Sequence, residues 1–310
     1  MLNQKSVVAV TSRSFSANEK LRTQLLSHFP NSRFNETGRV LAGQELVEFL
    51  SGAEAAIIAL EKLDEKILKE LTQLKVISKF GVGTDGVDFD ALNFHNVKFL
   101  HFPGTNSNSV AEIALANAIS LLHRIPENQL HLNDGNWVQL KGYEIKGKKI
   151  GVIGAGPIGK RFLTLCSYLD CDLMSFDLAH DQSFNKVLNV KESTLFEIMS
   201  QCDVISIHLP LTQKTRGFIG TYEIGLMKPT SVIMNLSRGG IVDEAALISA
   251  HRSGLIAGFA LDVYQTEPCD ISKFSALRNV VLTPHIGGSS VEAISNMGSA
   301  AINGLVDLIL

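Results

Sequence analysis

Short, continuous apolar runs alternate along this chain with longer stretches in which apolar residues recur every three or four positions. Val7–Val10, Ala56–Leu60, Val76–Ser78 and Val97–Phe99 have the length and apolar character of buried strands. Between them, Glu19–His28, Gln44–Leu50 and Asp64–Gln73 carry the helical spacing. A parallel sheet covered by helices on both faces is what such alternation builds. Asn106–His123 follows, with a long apolar face in which Glu112 and Asn117 are embedded, so it reads as a buried or interdomain helix. Asn128–Trp137 and a polar, Lys/Gly-rich stretch, Lys141–Lys149, then lead into a second alternating series. Its strands are expected at Ile150–Ile153, Leu173–Phe176, Val204–His208, Ser231–Asn235, Ala257–Leu261 and Val280–Leu282. Its helices after the first are expected at Leu195–Ser200, Tyr222–Leu226, Glu244–Arg252 and Val291–Leu308. Six strands make a complete doubly wound sheet; the last helix has no strand left to serve and should return to the first domain.

Composition agrees with two domains. A chain of 310 residues exceeds what one core usually organises, and 45% hydrophobic residues with a net charge of −3 describe a globular protein with ample core material. No basic stripe points to nucleic acid, and no apolar stretch is long enough to span a bilayer. The amino terminus, MLNQKSVVAVTSRSF, reads as a first strand rather than a secretory signal. Cys166, Cys171, Cys202 and Cys269 show no metal-ligand spacing and read as reduced thiols of a cytoplasmic protein.

The most informative stretch is Lys148–Asp177. An apolar strand turns through Gly154-Ala155-Gly156-Pro157-Ile158-Gly159 into a helical pattern, and a second strand ends at Asp177, 18 residues past Gly159. Gly154 permits the tight turn, Gly156 lets the backbone approach a pyrophosphate, and Gly159 lets helix and strand pack closely. Amide N–H groups at the helix start then face the phosphates. A carboxylate at Asp177 accepts hydrogen bonds from the adenosine ribose hydroxyls and repels a 2′-phosphate, which favours NAD over NADP.

Three later strands run into polar groups on the carboxyl edge of the sheet. Ser231–Asn235 continues into Leu236-Ser237-Arg238-Gly239-Gly240, Ala257–Leu261 into Asp262 and on to Glu267-Pro268, and Val280–Leu282 into Thr283-Pro284-His285-Ile286-Gly287-Gly288. An arginine can hold a carboxylate through two parallel hydrogen bonds and polarise the adjacent carbonyl. A histidine can give that carbonyl oxygen a proton as hydride reaches carbon, and a glutamate behind the ring favours the imidazolium and fixes its tautomer. Taken singly, a surface salt bridge, a turn residue and a loop histidine are the better account of Arg238, Glu267 and His285; the ordered set behind a complete cofactor fingerprint reverses that preference. In the first half, Phe80-Gly81-Val82-Gly83-Thr84-Asp85-Gly86-Val87-Asp88 leaves a strand at its carboxyl end, either as an ordinary strand-to-helix turn or as a backbone site for a carboxylate.

With these motifs in place the chain resembles the NAD-dependent D-isomer-specific 2-hydroxyacid dehydrogenases from about Ala56 to Leu308. The likeness rests on Gly81–Asp85 with Val87-Asp88, Val110-Ala111-Glu112, the dinucleotide loop, His208-Leu209-Pro210-Leu211-Thr212, Asn235–Gly240, Leu261-Asp262-Val263, Glu267-Pro268 and Thr283–Gly288. It implies an α/β fold of two doubly wound parallel-sheet domains: a flavodoxin-like substrate domain over 1–101 and 286–310, and a Rossmann NAD domain over 102–285. It also implies that Arg238, Glu267 and His285 are catalytic, with substrate in the cleft between the domains. Gly154, Gly156, Pro157, Ile158, Gly159, Asp177, His208, Leu209, Pro210, Leu236, Ser237, Asp262, Gly287 and Gly288 would line NAD, with Asp262 near the nicotinamide amide. Lys79, Val82, Gly83, Arg238 and His285 would bind a small 2-keto or 2-hydroxy acid, and a homodimer would form through the NAD domains.

Within the family the chain looks closest to the 3-phosphoglycerate dehydrogenases, by Gly81–Asp88 and Asn235–Val242, with Lys79 near a substrate phosphate. It departs from them at Leu60-Glu61, where many carry an arginine and a small polar residue. Glyoxylate/hydroxypyruvate-type reductases are the alternative substrate class, and an NAD-sensing corepressor-like protein is the alternative of another kind. Formate-type dehydrogenases pair their histidine with glutamine, against Glu267 here. Feedback through an appended regulatory domain is not expected.

Overall fold

The computed structural model describes residues 2–309. These divide into two compact units, one holding the described residues up to Asn106 and from Gly288 onward, the other Ser107–Gly287.

In the first unit the strands are β1 (Val8–Val10), β2 (Arg33–Phe34), β3 (Ala55–Ile58), β4 (Val76–Lys79) and β5 (Lys98–Leu100), ordered β2-β1-β3-β4-β5 and all parallel. Crossovers from β1 go both ways, the flavodoxin-like arrangement. Strands buried on both faces need apolar residues at every position, because successive side chains point to opposite sides. Val8 and Val10 accordingly enter one core, with Phe15, Leu25, Ile57 and Ile302, while Ala9 enters another, with Leu46, Ala56, Ile58 and Leu92. The final helix, Val291–Val306, covers the first of these faces; Ser78 donates from Oγ to the Ala301 carbonyl at 2.8 Å. It thus returns to the amino-terminal unit. Register sets Ile58 beside Lys79, so the segments leaving β3 and β4 start side by side.

The second unit contains β6 (Lys149–Ile153), β7 (Asp172–Phe176), β8 (Lys191–Glu192), β9 (Val204–Ile207), β10 (Val232–Asn235), β11 (Gly258–Leu261) and β12 (Val280–Leu282), ordered β12-β11-β10-β9-β6-β7-β8 and all parallel. Chain direction across the sheet reverses between β6 and β9, which is where open α/β sheets bind ligands. Register aligns Ile153 with Phe176 and Ile207, Asn235 with Ile207 and Leu261, and Leu261 with Leu282. The segments beginning at Gly154, Asp177, His208, Leu236, Asp262 and Thr283 therefore leave one common edge.

The apolar pattern missed two strands, β2 and β8. Each is two residues long, β2 half-buried and β8 exposed, so neither presents an apolar run. The sheets therefore have five and seven strands rather than the expected four and six. Asp64–Gln73 is shorter than expected: Asp64 caps a helix of only Glu65–Leu68, and Leu71 and Leu74 are buried through successive turns, their N–H groups bonding to Leu68 and Leu71. Spacing of three without four is a turn pattern rather than an α-helical one. Before the polar stretch lies a further helix, Ile125–Asn133, with Pro126 in its first turn.

Candidate active site

Gly154 takes φ +98°, and a Cβ there would lie 2.8 Å from the backbone carbonyl group of His208. On Gly159 a Cβ would collide with the Gly154 carbonyl oxygen, so this glycine sets how closely the helix Pro157–Ser167 sits on β6. Gly156 is different: a Cβ would meet nothing within 4 Å. Its bareness serves the space in front of the loop, as a pyrophosphate cradle requires. Pro157 and Ile158 open the helix beside it. Asp177 closes β7 half-buried, its Oδ2 accepting the Ala155 N–H at 2.6 Å and its Oδ1 the Ala179 N–H at 2.8 Å. That pins the carboxylate beside the cradle. These residues fit a dinucleotide.

The same edge carries the expected acid–base groups. His285 Nδ1 and Glu267 Oε2 are 2.8 Å apart, and Glu267 Oε1 accepts the Tyr264 N–H at 3.0 Å. Burial works to raise the Glu267 pKa, but the hydrogen bonds from His285 and the Tyr264 N–H, with the charges of His285 and Arg238, outweigh it and hold the carboxyl below its ordinary value. Glu267 therefore feels both other members of the expected triad. With Nδ1 turned to Glu267, Nε2 is the nitrogen left to meet a substrate.

Several buried groups impose this arrangement. Asp262, 1% exposed, accepts the Thr283 hydroxyl, the Ile286 N–H and the Gly287 N–H, each at 2.7 Å. All three donors belong to the segment that presents His285, whose φ of +55° is left-handed and costs an L-residue about 1–2 kcal/mol. Tyr264 ties the two loops together, its hydroxyl donating to the Thr283 carbonyl at 3.0 Å; burial, with Cys269, Asp262 and Glu267 nearby, pushes that phenol up to about 12. Gly239 lets the Arg238 loop lie against Tyr264, since a Cβ there would collide with the Tyr264 carbonyl. Buried Asn235 shapes the same loop: Nδ2 donates to the Arg238 carbonyl at 2.9 Å, and Oδ1 accepts from the Ser237 hydroxyl at 2.8 Å and N–H at 3.1 Å. Arg238 also donates from Nη1 to the Ser237 carbonyl at 2.7 Å.

The remaining expected residues fall into two groups. His208, Leu209 and Pro210 follow β9, and Leu236 is buried at the end of β10. His208 Nε2 lies 2.8 Å from Ser206 Oγ; Nδ1 is buried without a partner, and burial pulls the imidazole pKa down to about 3. Gly287 belongs to this unit, its carbonyl accepting from Ser109 at 2.7 Å. Gly288, Lys79, Val82 and Gly83 belong to the other unit. There Lys79 ends β4 almost wholly buried, its ammonium on the Ala59 carbonyl, and the neighbouring Ala59 N–H is bound at 2.7 Å by Glu61, which is 3% exposed. His101 Nε2 is 2.9 Å from the Val82 carbonyl oxygen, and Gly81 has φ +113°.

Residues 115–287 match the family described as "D-isomer specific 2-hydroxyacid dehydrogenase, NAD binding domain". The chain belongs to that family. A D-3-phosphoglycerate dehydrogenase of Archaeoglobus fulgidus is 33% identical over 272 residues, 86% of this chain and 52% of that protein. A glyoxylate reductase of Thermococcus litoralis is 30% identical over 271 residues, 84% of this chain and 82% of its own. Among solved structures, the apo form of D-lactate dehydrogenase from Escherichia coli superimposes with a TM-score of 0.82 at 27% identity, covering 98% of this chain and 96% of that one. The chain spans about half the length of the phosphoglycerate dehydrogenases it matches.

The second unit thus holds the family's NAD-binding domain, and its carboxyl edge carries both the glycine loop and the Glu267–His285 pair. Reading along the sequence overlooked two groups there. Asn235 stood in a quoted motif without a role, although an asparagine ending an apolar strand is the signal for a side chain bonded to the next loop. Glu244 stood only as the first residue of an expected helix; it is buried, accepts the Gln265 N–H at 2.5 Å and pairs with Lys273, steadying the segment that bears Glu267.

Proposed function

We propose that this chain catalyses reversible hydride transfer between NAD(H) and a D-2-hydroxy acid or its 2-keto acid. The observation that carries the reading is the 2.8 Å contact between His285 Nδ1 and Glu267 Oε2 beside Arg238, on the edge of an NAD-binding domain. Bound NADH supplies the hydride that reaches C2 of the keto acid. Arg238 holds the substrate carboxylate and polarises the carbonyl through its guanidinium. His285 delivers a proton from Nε2 to the carbonyl oxygen, and in the oxidative direction takes it back from the hydroxyl. Glu267 stays ionised, keeping Nδ1 protonated and the imidazolium oriented. Lys79, Val82 and Gly83 are proposed as the first unit's contribution to substrate recognition.

The 3-phosphoglycerate dehydrogenase relatives support a phosphorylated three-carbon substrate, and the glyoxylate reductase a small unphosphorylated one. Buried Glu61, bonded to the same residue that takes the Lys79 ammonium, favours the second reading, because a carboxylate there opposes a phosphate dianion. NADH oxidation with 3-phosphohydroxypyruvate, glyoxylate, hydroxypyruvate, pyruvate and branched-chain 2-keto acids tests both. Turnover with glyoxylate or hydroxypyruvate at least tenfold above the phosphorylated acid is expected. No turnover with any member would turn the reading toward an NAD-sensing binding protein.

We also propose a homodimer through the NAD-binding unit. The helix Ile125–Asn133 buries none of its residues, and Ile125, Leu132 and Trp137 stand exposed, Trp137 at 84%. Exposed apolar side chains this close in sequence are what an interface would cover, and light scattering of wild type against Trp137→Glu tests it. Among the described residues all four cysteines are free, which supports a reducing, cytoplasmic setting, and no helix is long and apolar enough to cross a membrane.

A further inference from the structure

The adenosine end of the NAD-binding unit carries two close side-chain pairs that hydride chemistry does not use. Lys160 follows Gly159 on the helix Pro157–Ser167; its ammonium pairs with Asp181 and lies 5.5 Å from the Phe184 ring centroid. Asp181 caps the helix Gln182–Leu188, its Oδ1 accepting the Phe184 N–H at 3.0 Å and the Ser183 hydroxyl at 2.7 Å, so Oδ2 is the oxygen that meets Lys160. Nearby, His180 Nδ1 pairs with Glu192. Ala155, Lys160, Asp177, His180, Asp181 and Glu192 line one cavity.

This cavity holds opposed chemistry. Asp177 accepts ribose hydroxyls and repels a phosphate on the 2′-oxygen. An ammonium in the same cavity is what a phosphate ester would pair with. The Lys160 charge is spent on Asp181, whose carboxyl is held well below the usual carboxylate range by the Lys160 hydrogen bond, the Phe184 N–H and the Ser183 hydroxyl. Asp181 is therefore ionised at neutral pH and stands opposite the Lys160 ammonium as its counter-charge.

We propose that Asp181 is a second determinant of the preference for NAD: by occupying Lys160 it withholds from a 2′-phosphate a cation placed to bind it, while Asp177 repels that phosphate directly. The proposal rests on reading Asp177 as the ribose-binding carboxylate. It makes the discrimination a product of two acids, one acting on the ligand and one on the protein's own lysine.

Adenosine 2′,5′-bisphosphate and 5′-AMP probe this end apart from the catalytic one, by isothermal titration calorimetry of the full chain. Asp177→Ala removes the direct repulsion and serves as background. Adding Asp181→Asn, which keeps a capping oxygen, should tighten the bisphosphate about tenfold relative to 5′-AMP. Raising salt should shrink the gain, and Lys160→Met should abolish it. The NADPH-to-NADH ratio of kcat/KM should rise in parallel. Asp181→Ser, a second cap-preserving change, gives the same answer where the asparagine variant folds poorly. Equal bisphosphate affinity with and without the Asp181 change overturns the proposal, as does a gain that survives Lys160→Met, which would reduce it to general relief of negative charge. Wild type that binds neither 5′-AMP nor NADH would instead overturn the reading of Asp177, and the first titration shows that.

Discussion

Asp262 and Asp177 each close a strand of the same parallel sheet, and they do opposite things. Asp262 follows β11, is shut off from solvent, and gives both oxygens to donors of the segment 283–287. Asp177 follows β7, stays half-buried, and is held by only two backbone N–H groups, with a cavity before it. A carboxylate spent on the protein's own backbone positions a neighbour; one only partly satisfied is left to recognise a ligand. The end of this edge that bears His285, proposed as the catalytic end, is thus fixed by buried hydrogen bonds, and the end that bears Asp177, proposed as the adenosine end, by part-exposed pairs such as Lys160–Asp181. Loss of a catalytic-end group should stop chemistry, whereas loss at the adenosine end should redirect preference.

The largest effect tests the first half of that contrast. His285→Ala should lower kcat about 1000-fold while NADH affinity, followed by its fluorescence, stays within about threefold. Lost binding with retained turnover would give the imidazole a recognition role instead. Asp262→Asn is more pointed, because it keeps the shape and turns one oxygen into a donor facing N–H or O–H groups. We expect kcat to fall roughly 10- to 100-fold, with a loss of about 2 kcal/mol in urea unfolding from the unmade buried hydrogen bonds. Wild-type kcat in this variant would show that the left-handed turn at His285 holds without the carboxylate.

How far the sequence announced this follows the same contrast. Strands buried on both faces were legible because each position must be apolar, and β6, β9, β10 and β11 fall at or within a residue of their expected starts. The strands β2 and β8 were not, since a two-residue pairing leaves no pattern. The residues Arg238, Glu267 and His285 stood out as types that hydride chemistry needs at strand ends, and the Glu267–His285 contact bears on them directly. What holds them did not stand out: Asn235, Glu244 and the three-donor role of Asp262 depend on which backbone N–H faces which oxygen, and that exists only once the loops are folded. Lys160–Asp181 was equally silent, because residues 21 apart in sequence meet only across a strand and two turns.

At the adenosine end the expected outcome is a shift in preference. Asp177→Ala should raise the NADPH-to-NADH ratio of kcat/KM about 10-fold, with kcat at saturating cofactor falling less than threefold. A wild type already preferring NADPH, or a variant losing turnover as His285→Ala does, would erase the distinction between the two ends.

The smallest effect belongs to His208, which follows β9 between the two ends. Burial lowers its pKa to about 3, while an unfolded chain protonates near 6.5. Between those values the unfolded state carries the extra proton, so stability rises with pH across that window and is lost as pH falls from 6.5 toward 3. Only the part of that window above pH 5 is crossed, so the loss by pH 5 should be on the order of 1 kcal/mol rather than the full desolvation penalty. His208→Gln retains a group able to bond Ser206 but cannot titrate. Urea unfolding at pH 7.5 and pH 5 should therefore show wild type losing about 1 kcal/mol more than the variant, with every other histidine common to both and cancelling. Equal losses would mean that water reaches Nδ1 in the folded protein, and that this middle position is as open as the adenosine end rather than as closed as the catalytic one.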